Sequence, residues 1–266
     1  MIKIKNLTKK YGRTTVLDDV SVEIQEGSLT SFIGSNGAGK STLLSIVARL
    51  LKQDGGTVEI DGRVLDEWDT RDLARNLSIL RQSNNIDMKL RVEELVAFGR
   101  FPYTRGSLTE EDREKVEQAI EFMNLEDIRD KYINELSGGQ QQRAYIAMII
   151  AQDTKYILLD EPLNNLDMKH SVDIMRIFRR LCDELGKTVL VVIHDINFAS
   201  VYSDRIVALC CGRLKYHDTV DQMMDETRLH DLFGLNFEIF EQGGRKICSF
   251  YDTADQCSRG CIQQVS

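Results

Sequence analysis

A glycine-rich segment lies between a predicted strand and a predicted helix and restricts the possible folds of this chain to a few. Residues 34–41 read Gly-Ser-Asn-Gly-Ala-Gly-Lys-Ser and match the phosphate-binding pattern GxxxxGK[S/T] at every position. A buried-strand run precedes the segment at residues 29–33, and apolar residues at helical spacing follow over residues 43–51. Such a loop turns backbone N–H groups around phosphate oxygens at the positive end of the helix. We therefore expect an α/β fold that binds a nucleotide.

Residue types within this loop predict individual roles. The ammonium of Lys40 is expected to reach the β- and γ-phosphates, and the hydroxyl of Ser41 is available to Mg²⁺. The implied cofactors are ATP and Mg²⁺. The predicted nucleotide cradle comprises Gly34, Ser35, Asn36, Gly37, Ala38, Gly39, Lys40, Ser41 and Thr42. A chance glycine-rich turn is disfavoured by the strand before it and the helix after it.

Charge and composition exclude several functional classes. Lys and Arg number 34 against 42 Asp and Glu, a net charge of −8, so the chain lacks the basic character of proteins that grip nucleic acid. No uncharged apolar run approaches the roughly 18 residues of a membrane-spanning helix. The six cysteines show no CxxC pair and no clustered His, so we interpret them as reduced structural thiols. We expect a cytoplasmic protein that reaches a membrane only through a partner.

Hydrophobic periodicity separates an α/β core from a helical segment. Between about residues 90 and 136 the period becomes helical, with Thr109 as a predicted N-cap before an acidic turn. Ser137 is predicted to cap the next helix, with Gln140 as its capping-box partner. Two more buried strands, at residues 156–159 and 188–193, end in polar residues. Open α/β sheets place their sites at such strand ends.

The polar residues at these two strand ends are candidates for catalysis. Asp160 can hold Mg²⁺ through water, and the adjacent Glu161 can orient and deprotonate an attacking water. His194 follows the second strand. Taken alone, an acidic pair is more often solvated or a helix cap, and a lone histidine is more often structural. Their occurrence together with the phosphate-binding loop favours the catalytic interpretation.

Residues 136–140, Leu-Ser-Gly-Gly-Gln, resemble the signature motif of ATP-binding cassette (ABC) proteins. The other cassette motifs stand in order around this segment. Tyr11 resembles the aromatic residue that stacks on adenine, and Gln82 resembles the glutamine of the Q-loop. His194 resembles the switch histidine, and residues 164–167 resemble the D-loop.

The resemblance covers residues 1–235 and implies a fold. That fold is a P-loop NTPase cassette with a mainly parallel sheet core, an N-terminal antiparallel β subdomain and a helical subdomain inserted at residues 85–136. Residues 236–266 remain an extension of unknown role.

The resemblance also implies how the site works. In this family, the signature of one cassette closes on the γ-phosphate held by the phosphate-binding loop of another. A second ATPase subunit, expected to be another copy of this chain, is therefore implied. The implied catalytic residues are Glu161, His194 and Gln82, and the implied Mg²⁺ ligands are Ser41, Gln82 and Asp160 through water. The nucleotide held by one subunit would be bound from the other subunit by Ser137, Gly138, Gly139 and Gln140.

Residues 92–103 and 160–170 look like segments of the ATPases of bacterial iron–siderophore importers, which are close to those of haem and vitamin B12 importers. The implied partners are integral membrane permease subunits and, indirectly, an extracytoplasmic substrate-binding protein. Location at the cytoplasmic face of the cell membrane follows from these partners.

The segment with Phe98, Arg100, Phe101 and Tyr103 has two interpretations. It is either core of the helical lobe or a partly exposed patch that receives a permease helix. A haem or vitamin B12 importer and a soluble non-transport ABC regulator remain alternatives. A P-loop kinase is disfavoured, because a phosphoryl acceptor site would not use the signature segment.

Overall fold

Strands and helices alternate along the computed structural model, which describes residues 1–81, 89–104, 107–164 and 166–251. The strands are β1 Ile2–Tyr11, β2 Thr14–Ile24, β3 Leu29–Ile33, β4 Gly55–Ile60, β5 Arg63–Val64, β6 Leu77–Leu80, β7 Tyr156–Asp160, β8 Thr188–Val192, β9 Arg205–Cys210, β10 Arg213–Thr219, β11 Glu238–Gln242 and β12 Arg245–Ser249. The α-helices are α1 Lys40–Val47, α2 Thr70–Asn76, α3 Val92–Phe98, α4 Glu110–Phe122, α5 Gly138–Ala151, α6 Met168–Asp183, α7 Ile196–Tyr202, α8 Val220–Met223 and α9 Glu226–Phe233. None of the helices in these ranges combines the length and the hydropathy that a bilayer crossing requires.

A six-stranded sheet forms the centre of the molecule, in the strand order β10-β9-β3-β8-β7-β6. Its strand pairs are parallel except for β9 with β10. Strands β3, β7 and β8 are buried along their whole length, as expected for the apolar runs that form them. The register sets both Phe32 and Asp160 opposite Val192. The predicted parallel core is thus confirmed, and the polar residues that follow these three strands leave the sheet at one edge.

The N-terminal antiparallel sheet implied by the resemblance is also present, in the order β2-β1-β4-β5. Apolar residues on its inner face, such as Ile4 and Val22, pack together with α1 and with Phe32 of the central sheet. Burial of this shared face is the main force that joins the two sheets. The antiparallel sheet thereby covers one side of the glycine-rich loop.

The described part of the predicted helical segment folds around α3 and α4, which pack on α5. Thr109 caps α4 as predicted, because its hydroxyl accepts a hydrogen bond from the N–H of Asp112 at 3.2 Å. Gly99 lets the end of α3 approach α5, since a Cβ there would lie 2.1 Å from the carbonyl oxygen of Met148. This close approach ties the end of α3 to α5.

Arg100 lies inside this lobe, so the lobe-core interpretation is correct for this residue and the exposed-patch interpretation is wrong. Its Nε donates to Oδ1 of Asp112 at 2.9 Å, and its Nη1 donates to the carbonyl of Ala151 at 2.9 Å. Its guanidinium also stacks on Tyr103, 3.8 Å from the ring centroid. A buried charge is tolerated where it is paired and hydrogen-bonded in this way. The flanking Phe98 and Phe101, in contrast, are 47% and 70% exposed.

Residues 236–251 pack on the face of the central sheet that carries α7. Strands β11 and β12 form an antiparallel hairpin. Phe237 and Cys248 are buried in one cluster with Ile196 of α7 and with Ile33, the last residue of β3. The hairpin therefore packs on the same cluster as the last residue of β3 and the first residue of α7, which flank the polar residues at the edge of the sheet.

The four cysteines in the described ranges form no disulfide there. Burial raises the pKa of Cys182 to about 12 and that of Cys248 to about 11, so both are poor nucleophiles at neutral pH. Cys211 is exposed in the turn after β9. No cluster of three or more His, Cys, Asp or Glu that could hold a metal occurs among the described residues. Cys257 and Cys261 lie outside them.

Candidate functional site

The glycine-rich loop connects β3 to α1, as predicted. Gly34 has φ 137° and Gly39 has φ 96°, conformations that L side chains rarely adopt. A Cβ at Gly34 would lie 2.1 Å from the carbonyl oxygen of Leu209, and one at Gly39 would lie 2.6 Å from Cδ2 of Leu17. Only glycine fits these two positions, so the loop can follow the tight path that an anion cradle requires.

Lys40 is the first residue of α1, and its ammonium lies inside the loop. Nζ donates to the carbonyl oxygens of Gly34 at 2.8 Å and of Ser35 at 3.0 Å. Burial lowers the pKa of Lys40, whereas the carboxylates of Glu161 and Asp160 act in the opposite direction. Phosphate oxygens form stronger, charge-assisted hydrogen bonds than these carbonyl oxygens do. The ammonium is therefore close to the position from which it can bind a phosphate.

Ser41 and Asp160 lie side by side next to this loop. The Ser41 hydroxyl donates to Oδ1 of Asp160 at 2.7 Å. Burial raises the pKa of Asp160 and the charge of Glu161 adds to this effect, while the Ser41 hydrogen bond opposes it. A nearby cation would stabilise the ionised form of a carboxylate in such surroundings. A hydroxyl and a carboxylate are oxygen donors of the kind that Mg²⁺ prefers, so the two residues fit a Mg²⁺ site that phosphate oxygens would complete.

Glu161 and His194 meet at the edge of the sheet, with Oε1 of Glu161 2.8 Å from Nε2 of His194. The second carboxylate oxygen accepts a hydrogen bond from Nδ2 of Asn164 at 2.5 Å. Glu161 has φ 52°, in the left-handed region where a residue costs about 1–3 kcal/mol. Strain of this kind is concentrated at functional sites. Two side chains and an unusual backbone conformation therefore orient this carboxylate.

Two adjoining cavities bring most of the predicted residues together. The first, of about 490 Å³, is lined by Val16, Asn36, Gly37, Ala38, Gly39, Lys40, Ser41, Thr42, Glu161, Asn164 and His194. The second, of about 200 Å³, is lined by Tyr11, Ser41, Thr42, Ser45, Leu51, Arg81 and Asp160. Ser41 and Thr42 line both, so the cavities form one continuous site.

The ring of Tyr11 is half-exposed at the second cavity, with Nζ of Lys9 5.7 Å from its centroid. This geometry leaves ring surface for a planar ligand to stack on. Gly34 and Ser35 are not among the lining residues, but their carbonyls accept the hydrogen bonds from Lys40. Gln82 and Asn165 lie outside the described residues.

Ser137, Gly138, Gly139 and Gln140 form the N-terminal end of α5. The predicted capping box is confirmed: the Ser137 N–H donates to Oε1 of Gln140 at 3.0 Å, and the Gln140 N–H donates to Oγ of Ser137 at 3.3 Å. Gly139 packs against the ring of His170, since a Cβ would lie 2.9 Å from Cδ2 of that ring. None of the four is among the described residues that line the two cavities. Within one chain, the signature and the phosphate-binding loop do not share a cavity.

Five lining residues were not among the predicted site residues: Val16, Ser45, Leu51, Arg81 and Asn164. Arg81 directly precedes Gln82, and Asn164 follows Glu161 by three residues, so proximity to a motif is the signal that could have found them. Residue type gives no such signal, because Arg and Asn are common in solvated loops. Val16 is a residue of β2 that approaches the loop only in the folded chain.

The chain matches the family model described as "ABC transporter" over residues 17–164. It is 56% identical over 239 residues to the petrobactin import ATP-binding protein YclP of Bacillus subtilis (strain 168), an alignment that covers 90% of this chain and 95% of that protein. It is 46% identical over 241 residues to the petrobactin import ATP-binding protein FatE of Bacillus anthracis, with 91% and 96% covered.

Among solved structures, the dimeric structure of MJ0796, a bacterial ABC transporter cassette, superposes with a TM-score of 0.74 at 35% identity. That superposition covers 83% of this chain and 99% of the other. Sequence identity across most of the chain and similarity of fold both confirm the resemblance to ABC proteins that the ordered motifs indicate. The ATP-hydrolysing activity that this resemblance implies is confirmed as well. The chain belongs to the ABC transporter family, as an ATP-binding cassette that hydrolyses ATP.

Proposed function

We propose that this chain powers the import of ferric siderophores, as the ATPase subunit of an importer at the cytoplasmic face of the cell membrane. The observation that carries the proposal is the 56% identity to a petrobactin import ATP-binding protein across 90% of this chain. The partners are integral membrane permease subunits and, through them, an extracytoplasmic substrate-binding protein. Ferric petrobactin is the first cargo to test, because two relatives are named for its import.

In this proposal, ATP lies across both cavities. Tyr11 stacks on adenine, while the loop amides of residues 34–42 and the ammonium of Lys40 hold the phosphates. Ser41 and Asp160 hold Mg²⁺, the latter through water, and Mg²⁺ bound there offsets phosphate charge. Glu161 orients a water molecule and takes its proton. His194 contacts the γ-phosphate.

We further propose that two copies of the chain close around ATP. The signature residues stand at a helix N-terminus, which favours anions, yet they are not among the residues that line the cavity at the phosphate-binding loop of their own chain. A relative at 35% identity is described as dimeric. The signature of one copy would then face the γ-phosphate held by the other. Gln82 keeps its predicted role in catalysis and Mg²⁺ binding.

Replacing Ser137 by arginine tests this arrangement. We expect the monomer to bind ATP with wild-type affinity, because Ser137 is not among the residues that line the cavities. ATP-dependent dimerisation and hydrolysis should fail, because a large cation blocks the helix end needed by the other copy. Nucleotide titration, gel filtration with ATP and an ATPase assay measure these effects.

Thr219→Arg is the matched control, because Thr219 also caps a helix with a glutamine three residues later. That variant should dimerise and hydrolyse ATP normally. Loss of ATP binding in the Ser137→Arg monomer, or normal dimerisation of it, would contradict the two-copy arrangement.

Phe98 and Phe101 form the proposed contact with the permease. The chain around them is held firmly: Nε of Arg71 and Nε of Arg75, both on α2, donate to the carbonyl of Pro102 at 2.7 Å and 3.1 Å. Two large exposed rings on a firmly held segment can pack against an apolar segment of another protein.

Phe101→Ala is expected to reduce siderophore uptake several-fold while leaving the ATPase activity of the isolated chain unchanged. The ring is 70% exposed, so its loss costs the folded chain little burial. Leu185→Ala, at an exposed apolar residue after α6, is the control and should affect neither activity. Equal losses of uptake and ATPase activity in Phe101→Ala would contradict a docking role.

Uptake by a strain that lacks this gene tests the proposed function as a whole. Radiolabelled ferric petrobactin, a ferric hydroxamate, a ferric catecholate, haem and vitamin B12 are compared with and without a plasmid-borne copy of the gene. We expect a plasmid-restored loss for at least one ferric siderophore. Unchanged uptake of every siderophore would overturn the proposal, and a loss confined to haem or vitamin B12 would replace the cargo.

A further inference from the structure

The side chain of Asn197 joins α7 to the C-terminal hairpin of β11 and β12. Its Nδ2 donates to the carbonyl of Cys248 at 3.1 Å, and its Oδ1 accepts from the N–H of Cys248 at 2.8 Å. Because both backbone groups of one residue are bound, the amide fixes the distance and the direction between helix and strand. Ser200, on the next turn of α7, donates to the carbonyl of Lys246.

Helix α7 depends on such contacts for its position. It has seven residues, and a helix of this length is not stable by itself in water. Asp195 caps it by accepting from the N–H groups of Asn197 at 2.8 Å and Phe198 at 3.3 Å. Ile196 is buried in the same cluster as Cys248. Tertiary contacts, those with the hairpin among them, therefore hold the first turn of α7 in place.

His194 lies two residues before this first turn. Its side chain is 41% exposed at the cavity, where Nε2 contacts Glu161. Because much of the ring faces open space, the direction of the ring depends on the backbone that carries it. That backbone runs from the buried Ile193 directly into the cap and the first turn of α7. A shift of α7 would consequently move the imidazole relative to Glu161.

The hairpin is itself anchored on its other side. Nζ of Lys246 donates to the carbonyl of Asp221 in α8 at 2.9 Å, and the N–H of Ile239 donates to Oε1 of Glu226 in α9 at 3.4 Å. The hairpin thus connects α7 to the helices that follow the central sheet. It is placed to hold α7 in one position.

We propose that the C-terminal hairpin, through the bonds between Asn197 and Cys248, positions His194 for ATP hydrolysis. Asn197 acts here as a positioning residue, and the inference rests on the proposed role of His194. It gives residues 236–251 a function in the catalytic cycle. The nucleotide contacts of Lys40, Ser41 and the loop amides do not depend on these bonds.

Asn197→Ala in the full-length chain tests the inference. Misplacement of a reacting group by about 1 Å can cost up to 10²-fold in rate, so we expect kcat to fall about tenfold. The KM for ATP should stay unchanged, because the phosphate-binding loop is untouched. In a His194→Ala background, the same substitution should cause no further loss in single-turnover hydrolysis, since residues that act through one group are not additive.

Two further variants make the outcome decisive. Asn197→Asp keeps an oxygen that accepts from Cys248 N–H but loses the donor, so it should show an intermediate kcat even if Asn197→Ala proves unstable. Asn76→Ala is the matched control, because it removes an asparagine side chain that donates to a backbone carbonyl on α2. That control should keep wild-type kcat.

These measurements distinguish a failure of the positioning role of Asn197 from a failure of the proposed catalytic role of His194. Unchanged kcat in both Asn197 variants, or a loss that is as large in the His194→Ala background as in the wild type, overturns the positioning role. If His194→Ala alone hydrolyses ATP at the wild-type rate, the proposed role of His194 fails, and this inference fails with it.

Discussion

Glu161→Gln is expected to lower ATP hydrolysis by about 10²–10⁴-fold, the usual cost of losing a general base. The amide keeps the shape of the carboxylate beside His194 and Asn164 but cannot take a proton from water. ATP binding should persist, because Lys40, Ser41 and the loop amides remain. Removing one negative charge near the γ-phosphate also reduces repulsion in the ATP-bound state. A phosphate-release assay and an ATP titration measure the two effects.

Binding without hydrolysis should populate the ATP-closed dimer of this variant. We expect Glu161→Gln to shift from monomer to dimer size on gel filtration with ATP. ADP should cause no shift, because it lacks the γ-phosphate that the signature of the other copy would contact. Glu59→Gln, which alters a surface carboxylate paired with Lys5, is the control and should hydrolyse ATP normally. A Glu161→Gln variant with wild-type turnover that stays monomeric would remove Glu161 as the base.

Lys40→Ala is expected to abolish turnover and to weaken ATP binding by roughly 10–100-fold. Hydrogen bonds to charged groups contribute about 1.5–3 kcal/mol, and about 1.4 kcal/mol corresponds to tenfold in affinity. In addition, the loop carbonyls of Gly34 and Ser35 lose the ammonium that they bind in this structure. Titration with a fluorescent ATP analogue and the ATPase assay measure the losses.

Lys40→Arg separates the effect of charge from that of geometry at this position, and Lys5→Ala is the control. Arginine keeps the charge but is a planar fork instead of a compact ammonium, so it should recover little turnover. Lys5→Ala removes a surface ammonium paired with Glu59 and should behave as wild type. Near-normal hydrolysis in Lys40→Ala would contradict the assignment of the phosphate-binding loop.

Much of the fold could be predicted because its signals are local. The pattern of residues 34–41 requires glycine at positions where the backbone has positive φ, and the structure has φ 137° at Gly34 and 96° at Gly39. The capping box of Ser137 and Gln140 involves residues three apart. Continuous apolar runs marked β3, β7 and β8 as buried strands. Each signal depends on neighbours in the chain and was therefore visible without tertiary information.

Arg100 shows where local signals fail. A charged residue that follows Gly99 and precedes Phe101 suggests an exposed position, yet its guanidinium is buried against Asp112 and the carbonyl of Ala151. Its two partners lie 12 and 51 residues away. Burial of the charge depends on both partners arriving at one point, which no short pattern encodes. The domain limits at residues 85–136 and 235 remain predictions.

Residue types and short motifs predict the chemistry of the site: which loop can cradle phosphates, which hydroxyl and carboxylate can hold Mg²⁺, and which strand ends carry Glu161 and His194. The orientation of these groups, in contrast, depends on how the chain packs. His194, at the end of a different strand, contacts Oε1 of Glu161, and Asn197 joins α7 to Cys248, 51 residues away. The two differ in range, because backbone conformation and periodicity arise between near neighbours, whereas orientation within a site depends on contacts that form only when distant segments pack.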